Sequence, residues 1–497
     1  MIPSNCFFSF AKKLFFISVS GLLFISINSC SSPETLSPIT ERVDPDYDFD
    51  TELAISRFSS AIQFATVAVE DTTQIEYDIY DDFITFIQES YPYINEHLKL
   101  TMIGGYTMLY KWEGSNSDLK PAAFIGHYDA VPVESGTEDS WTHPPFSGAV
   151  EDGFIWGRGA MDDKAGVMSV MEAAEHLLKT GFQPERTFYI ALNHDEEIGG
   201  LGGALAVSRY LESKGVRLEF LMDEGSPVAE NIIDGIDVPL AMIGVAKKGA
   251  VNLEFIYRQD GGHSSMPPQV SVIGTLSDAV RRIENNPMRA SYRGLIKQTF
   301  EPLIPYMSYW QRRAFNNTWL FRRTIERRLS ENPATNAALR TTGAVSIFEA
   351  GIKENVLPVE GRFVVNFRIH PNDSVQDVID YARRTIKNPE IEIRVMPRQR
   401  EPSRVSDINA PQFRMVEKSV REVFEDAVVV PSLFIAGSDS RHFHNIVDNI
   451  YRFRPIRATH GDRGRIHGID ERVRDYNYLE IIQFQIQIMK NGSVPIE

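Results

Sequence analysis

The apolar run from Thr187 to Leu192 ends in Asn193-His194-Asp195-Glu196-Glu197-Ile198-Gly199-Gly200. A short apolar run of this kind reads as a buried strand. Three consecutive acids at the end of such a strand are electrostatically costly. Crowded carboxylates stay ionised together only where something positive sits among them. A divalent metal meets that need, and other segments should then bring further ligands to the same rim of the fold.

The pattern around this run is that of an α/β layer. Ala122 to Gly126, Thr187 to Leu192 and Leu218 to Met222 read as strands, with Ala165 to Lys179 and Gly203 to Lys214 as amphipathic helices between them. Such alternation implies a mostly parallel central sheet, which places ligands beyond the carboxyl ends of its strands. Residues 51–100 look helical. A second unit begins near Lys247. Its order is strand (251–258), helix (273–285), strands (341–350 and 359–369), helix (375–387) and strand (391–396), which is ferredoxin-like. The stretch from about Ser291 to Leu339 interrupts it and mixes Tyr306, Tyr309, Trp310, Trp319 and Phe321 with many arginines. Aromatic-basic stretches can bind nucleic acid or membrane; here helices packed within the second unit are expected. The domains expected are a catalytic part at 56–246, an inserted unit at 247–398 with its helical insertion at about 291–339, and a second catalytic part at 399–497.

With 497 residues the chain is too long for one core. Its net charge of -16 argues against a nucleic-acid partner, which needs a basic face. Lys12-Lys13 precede an uncharged run from Leu14 to Ile27, the length of a signal-peptide core and short for a bilayer span. Ile27-Asn28-Ser29-Cys30 then resembles a bacterial lipobox, with Cys30 as the lipidated residue and an uncleaved signal anchor as the alternative. Residues 1–29 read as a lipoprotein signal peptide and 30–55 as a tether. Cleavage removes two lysines and no acids, taking the charge from -16 to -18. Since Cys6 lies in the leader, the mature chain has no internal disulfide and no cysteine nucleophile. The expected location is the bacterial cell envelope, anchored by lipid and facing the periplasm or the exterior.

Four segments complete the candidate site. His127-Tyr128-Asp129 follows a strand, and a carboxylate such as Asp129 commonly orients a ligand histidine. Gly157-Arg158-Gly159-Ala160-Met161-Asp162-Asp163-Lys164 opens a helix, where Asp162 alone could equally be a cap. Asp223-Glu224-Gly225 follows another strand, and His467-Gly468 precedes the last helix. Two zinc ions need one bridging carboxylate and about two further protein ligands each. His127, Asp162, Glu197, Asp223 and His467 meet that count. Glu196 is left over, in the place of a general base.

Six segments in this order resemble the co-catalytic zinc family of aminoacylase, glutamate carboxypeptidase, desuccinylase and carboxypeptidase S: His127-x-Asp129, GRGAMDDK, DEEIGG, DEG, GGHSS and the late His-Gly. SDSRHF (438–443), RIHGIDE (465–471) and the long insertion are similar to the carboxypeptidase S-like and N-acyl-amino-acid hydrolase branch. The resemblance implies a zinc-peptidase catalytic domain with an inserted ferredoxin-like lid and dimerisation domain. It implies two zinc ions per subunit, one held by His127 and Asp223, the other by Glu197 and His467, with Asp162 bridging. Asp129 would orient His127, and Glu196 would shuttle the proton. His263 would stabilise the oxyanion, from a neighbouring subunit in a homodimer. Asn355, Arg368 and Arg441 would grip the substrate's carboxylate or oxyanion, a task that suits arginine's fork. The activity implied is hydrolysis of an amide bond to release an amino acid with a free carboxylate. The substrate would be a peptide or an N-acyl amino acid, with a fatty-acyl group as the alternative. A non-catalytic lipid-anchored binding protein is the contrasting reading.

Overall fold

The computed structural model describes residues 47–496 apart from residue 234. The leader, Cys30 and most of the tether lie outside the described residues. An eight-stranded sheet forms the centre of the molecule. Its middle strands, Phe188–Asn193, Ala122–His127, Leu221–Ala229 and Ile450–Ala458, run parallel to one another. Lys99–Ile103 and Thr107–Trp112 add antiparallel strands at one edge. Leu240–Lys247 and Val428–Phe434 form a parallel pair at the other.

Every residue of Ala122–His127 is buried, as a parallel strand covered on both faces requires. Successive side chains feed two different cores. Phe124, Ile190 and Met222 join the core under helices Thr51–Gln63, Ala165–Lys179, Pro411–Val423 and Asp475–Ser493. Ala123, Ile125, Ala191 and Leu221 join the core under helix Ala204–Ser213. The result is three layers, with His127 paired to Asn193 at the carboxyl end.

The second sheet has four antiparallel strands in the order Thr342–Ala350, Glu360–Ile369, Gly249–Arg258, Glu392–Val395. Helices Val272–Asn285 and Val375–Ile386 pack on it around Phe255, Phe363 and Phe367. This is the ferredoxin-like arrangement expected from the element order.

Two expectations need correction. The helical insertion does not pack within the second unit. Its Tyr292, Phe300, Leu303 and Ile325 cluster with Ala229, Leu240 and Val430 of the eight-stranded sheet. That edge of the sheet has its own apolar surface to cover, and the insertion covers it. The strand expected at 218–222 instead runs Leu221–Ala229, carrying Asp223 and Glu224 within it.

Candidate active site

Parallel register delivers the site. His127 closes one strand, and the turn Asn193–Glu197 follows the next. Phe124 pairs with Met222, so Asp223-Glu224 reach the same rim. Asp162 stands just before helix Ala165–Lys179, in a segment whose own backbone is not helical at that residue. His467 arrives from the loop before the last helix, at a positive φ of 60°.

Two groups of potential metal ligands result, and they share Asp162. One is His127, Asp162 and Glu224; the other is Asp162, Glu197 and His467. Each oxygen of Asp162 faces a different imidazole: Oδ1 lies 3.1 Å from His127 Nε2 and Oδ2 3.1 Å from His467 Nε2. Glu197 Oε1 is 3.1 Å from His467 Nε2, and Glu224 Oε1 is 3.8 Å from His127 Nε2. One carboxylate bridging two histidine-carboxylate pairs is the donor set a dinuclear metal centre needs.

Asp223 does not belong to that set. Consecutive strand residues point to opposite sides, so only one of Asp223 and Glu224 can face the histidine. Glu224 does. Asp223 accepts hydrogen bonds from the Ser440 amide at 2.9 Å and the Glu224 amide at 2.9 Å. Its task is to hold the loop carrying Arg441.

The residues around the ligands fix their direction. His127 Nδ1 lies 3.1 Å from the Asp129 carbonyl oxygen and 3.3 Å from its carboxylate, which leaves Nε2 for the pocket. The Asp129 carboxylate also accepts the amides of Glu196 and Glu197, at 3.2 Å and 3.0 Å. One buried acid thus orients a histidine and two glutamates. Asp195 accepts the Gly202 and Gly203 amides and so tethers the start of the following helix.

The electrostatics follow from burial. Burial pushes the Glu196 carboxyl up to about 7, against the lowering influence of His127 and Arg441. Glu224 is raised well above the carboxylate range by burial and by the Asp162 charge. His467 is pushed up to about 10 by its hydrogen bonds to Asp162 and Glu197. Burial opposes the charge on Asp162, but His127 and His467 hold its pKa far below the usual range. The carboxylates therefore compete for too little positive charge, and the His127 and His467 nitrogens face them with lone pairs available when neutral. The residues present fit a pair of divalent ions.

Several supporting residues were not foreseen. Asp163, the neighbour of Asp162, turns inward and takes two hydrogen bonds from Arg454, at 2.9 Å and 2.8 Å. Gly166 leaves room for that guanidinium, since a β-carbon there would collide with it. Glu471 accepts the Met161 amide at 2.8 Å and Arg158 Nη1 at 2.7 Å, which anchors the loop bearing Asp162. Asp439 accepts Asn193 Nδ2 at 2.8 Å. Its carboxylate occupies the space a β-carbon on Gly200 would need. Nothing in the sequence singles out Arg454, because strand Ile450–Ala458 also carries Arg452 and Arg457.

The substrate-facing candidates divide. Arg441 Nη2 lies 3.1 Å from Glu196 Oε1. Lys247 is buried, its ammonium has no hydrogen-bond partner among the described residues, and Arg441, Arg400 and Glu196 all act on its charge. His263, Asn355 and Arg368 are exposed. His263 Nδ1 lies 2.8 Å from Ser265 Oγ in its own turn, and the Asn355 carbonyl accepts the Ser264 amide.

The sequence matches peptidase family M20/M25/M40 over residues 123–491. The chain belongs to that family. This M20 chain is 38% identical over 483 residues to a probable carboxypeptidase S-like protein of Dictyostelium discoideum, covering 95% of the chain and 92% of the relative. It is 38% identical over 443 residues to an N-fatty-acyl-amino acid synthase/hydrolase of Xenopus tropicalis, covering 88% of the chain and 86% of the relative. In fold it is similar to an M20 family metallo-carboxypeptidase of Sulfolobus solfataricus, with a TM-score of 0.61 and 17% identity, over 90% of this chain and 100% of that one. The M20 chain is accordingly an enzyme of the metallopeptidase and metallo-amidohydrolase type.

Proposed function

We propose that the chain is a di-zinc hydrolase that cleaves N-acyl amino acids or small peptides and releases an amino acid with a free α-carboxylate. The observation that carries this is the sharing of Asp162 between two ligand groups, with Glu196 beside them. Mixed imidazole and carboxylate donors suit zinc. His127, Asp162 and Glu224 would hold one ion, and Asp162, Glu197 and His467 the other. Ions held there supply a water acidified to neutral pH and a polarised amide carbonyl.

The chain's own residues do the rest. Glu196, desolvated and free at Oε1 apart from Arg441, takes the proton from water and returns it to the leaving nitrogen. Asp129 keeps Glu196 in register with the ligands through the backbone. Arg441, with Lys247 and Arg400 nearby, lines a cationic wall suited to the substrate carboxylate. Arg368, Asn355 and His263 would complete the pocket from the four-stranded unit, acting as lid and dimerisation domain. Its edge strand Thr342–Ala350 is exposed, Ile347 and Phe348 included, which suits pairing with a second copy. The leader pattern ending in Cys30 supports a lipid-anchored location in a bacterial envelope.

The test is to load the purified protein with zinc and offer dipeptides alongside N-acyl amino acids of short and long acyl chains. Release of free amino acid is expected from at least one class, with the acyl preference read directly. Equal release by Glu196→Gln would sink the mechanism. Labelled fatty acid should enter the wild-type chain and not Cys30→Ser.

A further inference from the structure

The helical insertion has one side buried against the large sheet and another side left bare. Trp310 is 77% and Trp319 83% exposed, with Tyr309 at 61% and Leu320 at 60%. The other three tryptophans, Trp112, Trp141 and Trp156, are at most 9% exposed. Large apolar groups clustered in water mark a surface that something covers.

The covering partner must also match the charge. Along helix Thr318–Leu329, Trp319, Arg323 and Arg327 follow one another at four-residue spacing and form a single stripe. All three are exposed. Arg322 and Arg328 face Glu326 and Glu331, whereas Arg323 and Arg327 have no ion-pair partner among the described residues. Residues 306–328 hold six arginines and one acid, Glu326, in a chain of net charge -16. Arg322, one turn from Trp319, also lines a cavity of about 260 Å³. That cavity adds Arg289, Arg293 and Arg340 to the positive side, against Glu326 and Asp373.

We infer that the two helices Tyr309–Asn316 and Thr318–Leu329 form a docking surface for an anionic phospholipid bilayer. Tryptophan and tyrosine rings settle at the boundary between headgroups and acyl chains. Arginines beside them are drawn to anionic lipid. The acidic remainder of the chain is repelled by the same membrane, so the field also sets which face approaches. A symmetric contact with a second copy would bring this positive surface against itself, which like-charge repulsion opposes.

The experiment uses the full chain with vesicles of phosphatidylcholine alone or mixed with phosphatidylglycerol, brominated on the acyl chains. The N-terminal apolar run could itself hold the chain to a vesicle. Quenching of tryptophan emission is therefore the readout, because bromine in the bilayer reaches only Trp310 and Trp319. Phosphatidylglycerol vesicles should quench more than phosphatidylcholine vesicles, and salt should narrow the gap. Trp310→Ser with Trp319→Ser should abolish the quenchable fraction. Arg323→Glu with Arg327→Glu should bring the anionic vesicles down to the neutral level. Unchanged hydrolysis of a water-soluble substrate by these variants would show that they fold. No quenching by anionic vesicles, or quenching that survives the arginine reversals, overturns the proposal. So does a change in sedimentation caused by the tryptophan substitutions without lipid, which would assign the surface to a second copy of the chain.

Discussion

The rim of the large sheet and the four-stranded unit carry the candidate site residues in opposite physical styles. At the rim, His127, Asp129, Glu196 and Asp223 are nearly inaccessible, and each is held by groups that are themselves buried. In the four-stranded unit, His263, Asn355 and Arg368 stand in solvent, and the hydrogen bonds of His263 stay within its own turn. The first region is preorganised for reaction; on the proposed function, the second would act only when closure or a partner brings it to the rim. Substitutions should therefore divide into those that disturb the fixed machinery or the fold at the rim and those that remove what the four-stranded unit would bring to a bound substrate.

The largest effect is expected at the base. Glu196→Gln should lower kcat by about 10²–10⁴-fold, with metal content unchanged by elemental analysis. Retention of activity would place the base elsewhere. His263→Ala is expected next, at about 10²–10³-fold in kcat for loss of an oxyanion donor. Mixing that variant with Glu196→Gln separates the two regions directly. Recovery of activity on mixing means the histidine acts across subunits; no recovery means it acts within its own chain.

The corrected ligand gives a sharper comparison between two adjacent acids. Glu224→Gln should lose the metal held with His127 and leave the other, so that bound metal falls to about half. Asp223→Asn should keep both ions, because among the described residues its oxygens serve only backbone amides. The reverse pattern would restore Asp223 as the ligand. Stability comes next. Breaking the buried Asp163–Arg454 pair by Arg454→Met should cost about 3–5 kcal/mol, since a buried carboxylate is left uncompensated. Adding Asp163→Asn should recover part of that loss, measured by urea denaturation.

What could be read in the sequence was what periodicity and residue type determine. The apolar runs ending in His127 and in Asp195-Glu196-Glu197 gave the parallel strands and their shared rim. The element order gave the ferredoxin-like sheet. Side-chain direction was not legible where a strand ran past its apolar stretch. Asp223 and Glu224 lie beyond Met222 yet within the strand, so alternation and not adjacency decides between them. Contacts between distant segments were equally hidden. Glu471 holds the Asp162 loop from the far end of the chain, and only the fold brings them together. The packing site of the insertion was missed because its apolar partners, Ala229, Leu240 and Val430, belong to a different sheet from the one it interrupts.

Arg368 gives the smallest expected effect and the most selective test of the division between regions. It is exposed on strand Glu360–Ile369, where its charge acts on Lys248 and Arg400. Arg368→Ala should therefore leave folding stability within about 0.5 kcal/mol, as for other surface changes, and leave metal content intact. If the arginine grips a substrate carboxylate, KM should rise about tenfold, the loss of one charge-assisted contact of roughly 1.4 kcal/mol, while kcat holds. The control is the same substrate with its carboxylate capped as an amide. That compound should bind wild type and variant alike. An equal rise in KM for both forms would mean that Arg368 shapes the pocket without reading the carboxylate, leaving that task to Arg441 and Lys247 at the rigid rim.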